Sequence, residues 1–198
     1  MRVFWVVGIL IAAAMSVHSE ECAVDVIVHV DGMLPVGVLK RAEISTTTMF
    51  AEIGVRVRLR TGGPGADSSA AYCPSITAIL ESNVPIDVMP RVLGYAAPYA
   101  VSGTRIHVFV NRIIKDHQAD LAQVLAHVLV HEIAHVLQGS CRHSKYGIMK
   151  ANWEERDFVR MRFEPLPFTD WDVQLIHRAV VISEKPMTDS AAESSSIR

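Results

Sequence analysis

Cysteine is scarce in this chain: Cys22, Cys73 and Cys141 are the only three among 198 residues. That is too few for a disulfide-stapled scaffold, and in an oxidising compartment it allows one bridge and leaves one thiol over. There is no stripe of basic residues either, and 19 Lys and Arg against 21 Asp and Glu give a formal net charge of -2. The electrostatic footprint of a nucleic-acid binder is therefore missing. The apolar run from Val3 to Met15 is about 13 residues long, short of the roughly 20 that a spanning helix needs. No internal repeat is visible, which excludes a solenoid or a propeller.

What is present begins with Arg2, that apolar run, and the small residues Val17-His18-Ser19. This is the layout of a secretory signal peptide cleaved before Glu20. The expectation is export, to the exterior or the periplasm, with residues 1–19 removed and no stable membrane anchor. Residues 20–182 then form one domain by length. From Ser183 the chain is polar, and 183–198 reads as a disordered tail.

Ala23–Val30 (AVDVIVHV) alternates and is β-branched, so it should be a strand. A helix opens at Pro35 and runs to Glu52, ahead of Gly54. Val55–Arg60 (VRVRLR) alternates an apolar face with a cationic one, a second strand. Strand, helix, strand implies a right-handed parallel unit. Thr61–Ala71 is a Gly- and Ser-rich loop. Ser75–Ser82 is expected to be a short helix, Pro85–Val88 a short strand, Gly94–Gly103 irregular, and Arg105–Val110 a strong strand with His107 at the surface. Further on, Asn152 is placed to cap a helix through Met161, and Thr169-Asp170 to cap a last one containing Trp171, Leu175, Ile176 and Val180.

The chemistry concentrates in Val124–Met149. Leu121, Val124, Leu125, Val128, Leu129, Ile133, Val136 and Leu137 recur at helical spacing and cover much of the circumference, so this helix is a buried one. Asp116 or Asp120 can cap its start, and Gly139 ends it. Within it His131-Glu132-Ile133-Ala134-His135 reads HExxH. Residues four apart share a helix face, so the two imidazoles can address one ion. Glu132 sits roughly 100° round from His131, near enough to reach a water beside that ion. Polar groups on a buried helix need partners, and a metal supplies one.

A tetrahedral zinc needs a third protein ligand and keeps one position for water. His127 lies one turn before His131, and three imidazoles stacked over two turns span about 12 Å, too far to converge. It reads as an orienting or core residue. Two candidates stay open: His143, just past the Gly139 turn, and Glu155, in the second helix as in thermolysin-like sites.

The stretch resembles the metzincins, zinc endopeptidases that read HExxHxxGxxH ahead of a methionine turn. His131, Glu132, His135, Gly139 and His143 stand in that order, followed by Ser144 and Tyr146-Gly147-Ile148-Met149. One additional residue lies on each side of Gly139, so His143 comes two positions late. The resemblance implies a single α/β (α+β) zincin/metzincin-like domain: a small mixed sheet, a long backing helix and a buried active-site helix. It implies one Zn2+ per chain on His131, His135 and His143, with Met149 as the apolar floor. Glu132 would be the general base in the hydrolysis of a peptide or protein substrate. It further implies that the strand before the zinc helix rims the cleft, pairing Ile106–Val110 with extended substrate; the alternative is that it is simply a strand within the sheet. Tyr146 is a candidate to hold the oxyanion. The competing reading is a zinc-bearing structural or binding module without turnover. That module would close the fourth position with a protein ligand, and Cys141 is the available one.

Overall fold

The computed structural model describes residues 23–62, 74–85, 88–89, 91–97 and 104–184. The expected signal peptide, Cys22, Cys73 and the tail beyond Glu184 lie outside these residues.

Strand β1 (Val24–Asp31) is followed by helix α1 (Val38–Glu52) and strand β2 (Val57–Thr61), which pairs with β1 in parallel. This is the strand–helix–strand unit that the sequence predicts. Helix α1 starts three residues after Pro35, behind Gly37 at φ 77, and is terminated by Gly54 at φ 73. Strands β3 (Ser75–Glu81), β4 (Gly94–Ala97) and β5 (Arg105–Phe109) complete a mixed sheet of order β2-β1-β3-β5-β4. Only β4 runs antiparallel to its neighbour. Helix α2 (Val110–His117) and a 3-10 turn (Gln118–Asp120) lead into α3 (Leu121–Gln138), and α4 (Glu155–Met161) and α5 (Asp170–Glu184) follow.

One face of the sheet is closed. Val24, Val26 and Val28 on β1, Ile76, Ala78 and Leu80 on β3, and Ile106 and Val108 on β5 are all buried in one core with α1 and α3. The alternate residues carry polarity: Asp25 lies between the cations of Arg60 (3.1 Å) and Arg58 (3.5 Å) on β2. Helices α1 and α3 pack on each other, and Thr46 donates across the contact to the Ala126 carbonyl. Helix α3 is apolar all round because it is the centre of this core; 83% of the most apolar part of the Val110–Gln138 helical stretch is buried.

Two local expectations are corrected. Ser75–Ser82 is not a helix but the central strand β3, because Ile76, Ala78 and Leu80 repeat at period two and fill the core face. Pairing on both sides there outweighs the helical preference of Ala and Leu. The strand expected at Pro85–Val88 rests on residues 86–87, which lie outside the described ones; at its ends Val88 donates to the Pro85 carbonyl, and Arg112 binds the carbonyls of Val88, Met89 and Val92. Gly94–Ala97, expected to be irregular, is the edge strand β4. Consequently β5, expected to rim the cleft, is enclosed by β3 and β4 and has no free edge.

Candidate metal centre

Helix α3 carries His131, Glu132 and His135 into the structure almost fully buried. Asp120 stands at its N-cap position but makes no capping bond, because its carboxylate pairs with Arg162 at 2.7 Å. At the other end Gly139 takes the left-handed conformation (φ 57), and the Gly139 and Ser140 amides close the helix on the Val136 and His135 carbonyls. The reversal brings the Ser140 carbonyl beside His135.

Two imidazoles are oriented by backbone carbonyls of the chain beyond α3. His135 Nδ1 donates to Ser140 O at 2.9 Å, and His131 Nδ1 donates to Ile148 O at 2.7 Å. A neutral imidazole has one proton, and here it is committed to Nδ1. Both Nε2 atoms are therefore bare acceptors, yet they face each other at 3.0 Å. His143 Nε2 stands 3.3 Å from that of His135, and one ligand atom from each of the three rings lies within 4.8 Å of the others. Lone pairs brought together in this way repel unless a cation lies among them. A tetrahedral zinc with bonds of about 2.0–2.1 Å separates its nitrogens by roughly 3.3–3.4 Å. The 3.0 and 3.3 Å separations about His135 lie close to that spacing, and the set, which spans up to 4.8 Å, closes on one ion with a small inward shift of the rings.

The electrostatics agree. Burial is the main cause that pushes the His131 pKa down to about 3, against its hydrogen bond to Ile148; the other two rings lower it further. His135 and His143 are also lowered, again chiefly by burial. All three are thus held as neutral imidazoles, the form that binds metal. Glu132 behaves oppositely: burial raises its carboxyl to about 8. Among the described residues it has no hydrogen-bond or ion-pair partner, and it lines a cleft of about 430 Å³ together with the three histidines. Leu93, Val128, Trp153 and Phe158 make the apolar side of that cleft, and Gly94 of β4 its rim. A Cβ added at Gly94 would stand 2.8 Å from His107 O, 3.0 Å from Val128 Cγ1 and 3.2 Å from Glu132 Cγ. The bare backbone is what lets β4 lie against α3 beside Glu132.

The alternatives fall elsewhere. Glu155 is exposed on the first turn of α4 and does not join the cluster. Cys141 is exposed, lines the cleft and is likewise outside the cluster. His127 is a core residue with both nitrogens engaged, donating to Gln123 O and accepting from the Leu166 amide. Tyr146 is 65% exposed and lines a separate shallow hollow with Trp171. His107 is not free at the surface: it is bonded to Glu81 at 2.6 Å and stacked on Tyr95 with ring centroids 4.5 Å apart. Met149 and Ile148 are fully buried beneath the loop, which is pinned by bonds from Ser144 N to Met149 O and from Ile148 N to Pro167 O.

Sequence reading missed two residues at this site. Trp153 packs its edge against the His131 ring (5.6 Å, 83°), a tertiary contact with no local signal. Asp172 is 1% exposed on α5, where the apolar side was expected to include Trp171. The spacing Thr169-x-x-Asp172 is a capping-box pattern and was its available signal.

No protein-family model and no curated protein matches this sequence. Among solved structures, archaemetzincin from Methanopyrus kandleri aligns with a TM-score of 0.52 at 14% identity, over 83% of this chain and 98% of that one. The two share a fold. Metalloproteinase-II from Bacteroides fragilis aligns at TM-score 0.48 and 10% identity, over 81% of this chain and 54% of its own.

Proposed function

We propose that the protein is an exported zinc peptidase, with one Zn2+ held by His131, His135 and His143 and with Glu132 as general base. The observation that carries this reading is the pair of Nε2 lone pairs facing each other at 3.0 Å beside a third imidazole. When bound, the ion supplies Lewis acidity, which makes a water nucleophilic near neutral pH and stabilises charge on a carbonyl oxygen. Glu132 accepts the proton of the attacking water on its carboxylate and delivers it to the leaving amine. Burial alone holds that carboxyl protonated up to about pH 8, and the positive charge of a bound ion would lower it, freeing the carboxylate for that exchange. The similarity in fold to archaemetzincin supports a peptide or protein substrate.

Substrate engages β4 instead of the enclosed β5. Gly94–Ala96 of β4 border the cleft, with Gly94 packed beside Glu132, so substrate entering the cleft meets this strand. Export rests on Arg2 and the Val3–Met15 run.

The test is peptide-library hydrolysis by the purified chain, with and without chelator. Activity that chelator removes and zinc restores is expected. Hydrolysis indifferent to chelator would contradict the proposal.

A further inference from the structure

The three imidazoles are not held alike. His131 and His135 are each fixed through Nδ1 by a backbone carbonyl. His143 has no acceptor at Nδ1 among the described residues and stands on an exposed loop. Its ring nevertheless reaches the other two, so something other than a bond to the ring must place it.

We infer that Asp172 is the positioning residue for His143, acting through the two residues that flank it. Arg142 Nη2 donates to Asp172 Oδ1 at 3.1 Å, and Ser144 Oγ lies 2.9 Å from both carboxylate oxygens. Tying both flanks to one carboxylate fixes the backbone on either side of His143, and with it the place from which its ring reaches His135. The anchor is rigid. Asp172 is 1% exposed, and its remaining acceptor capacity is filled by the Thr169 amide and hydroxyl. A buried carboxylate with several charge-assisted or hydroxyl donors is a strong, directional clamp. It also explains how a loop with one extra residue on each side of Gly139 still delivers its histidine. The register is set from α5, 28 residues beyond Ser144, and not by the turn.

This inference rests on the metal-site reading above, and the experiment separates the two. Zinc affinity is measured by chelator competition, and the absorption of the Co2+-substituted protein is recorded, for the full chain and for Asp172→Ala, Ser144→Ala, Arg142→Gln and Thr169→Ala. Asp172→Ala should weaken zinc by about 10–100-fold, the range for residues that orient a ligand. It should also replace the intense bands of four-coordinate Co2+ with the weak bands of a higher-coordinate ion. Ser144→Ala and Arg142→Gln, each cutting one arm, should shift both readouts in the same direction and by less. Thr169→Ala removes a contact to the same carboxylate on the helix side only, and should leave zinc affinity within about threefold. If Asp172→Ala does not fold, the two single-arm variants decide. Folded Ser144→Ala and Arg142→Gln proteins with unchanged affinity and an unchanged Co2+ spectrum would overturn the inference. A wild-type chain that binds no zinc would overturn the metal site on which it rests.

Discussion

His131 and His135 stand one turn apart on a helix buried on nearly every side; His143 stands on a loop with exposed neighbours. The first two are placed by the period of the α-helix and by carbonyls the chain supplies within 17 residues. The third is placed by a carboxylate on a different helix. A metal site can thus be half local and half tertiary. The local half tolerates little change because every atom is packed, whereas the tertiary half depends on a few hydrogen bonds. The difference also sets what each half contributes: the buried half supplies two neutral imidazoles and the buried carboxyl of Glu132, and the loop supplies the third imidazole.

The largest effect should come from chemistry in the buried half. Glu132→Gln keeps the shape and removes the base, so peptide hydrolysis should fall by about two orders of magnitude or more. Zinc content should stay at the wild-type value. Steady-state rates with parallel metal analysis check this, and undiminished hydrolysis would remove Glu132 from the role.

Next is the contact between the cleft rim and the helix. Gly94→Ala would force a Cβ against His107 O, Val128 and Glu132. Overpacking of this kind costs about 1–3 kcal/mol, to be read from denaturant unfolding. Activity should fall more than zinc affinity, because Glu132 is displaced while the imidazoles are not. A stability change near zero would mean that β4 yields freely.

The carboxyl and the imidazoles also predict opposite pH limbs for the metal-free protein. The Glu132 pKa is raised from 4.5 to about 8, so its contribution is complete below about pH 4.5 and is lost as pH rises through about 8. The histidines are depressed from 6.5, His131 to about 3, so theirs is complete above about pH 6.5 and is lost as pH falls. Between about pH 6.5 and 8 stability should therefore decline, with a limiting slope of about 1.4 kcal/mol per pH unit for one proton. Glu132→Gln should flatten that alkaline limb and leave the acid limb in place. Unfolding free energies of the apo-protein against pH test both statements.

The smallest effects should come from residues that spacing alone brought forward. Glu155→Ala should leave zinc affinity nearly unchanged, since Glu155 is exposed and outside the cluster. Met149→Leu conserves buried volume and should cost less than about 1.5 kcal/mol, with zinc retained. Loss of metal in either variant would show that the loop half is built differently.

These contrasts follow what the sequence could and could not reveal. HExxH, the all-round apolar helix and its stop at Gly139 are local patterns, and α1, β1 and β2 were legible for the same reason. Strand β3 was misread because Ile76, Ala78 and Leu80 alternate within a segment whose residue types also favour helix. Only its neighbours β1 and β5 decide the matter. Gly94-Tyr95-Ala96-Ala97 has little strand character of its own and is ordered by pairing with β5 and by packing on α3. Asp172 was hidden for a different reason. Its capping-box spacing points to the start of α5, and nothing local says that it also receives Arg142 and Ser144.

The central claim is that one ion is held by all three imidazoles. Its most direct test is zinc per chain, measured by elemental analysis on purified wild-type protein and on His131→Ala, His135→Ala and His143→Ala. The account predicts close to one zinc in the wild type and essentially none in any of the three variants, with each variant still folded by circular dichroism. Stoichiometric zinc in folded His143→Ala would contradict it, because the loop histidine would then stand beside the ion without holding it.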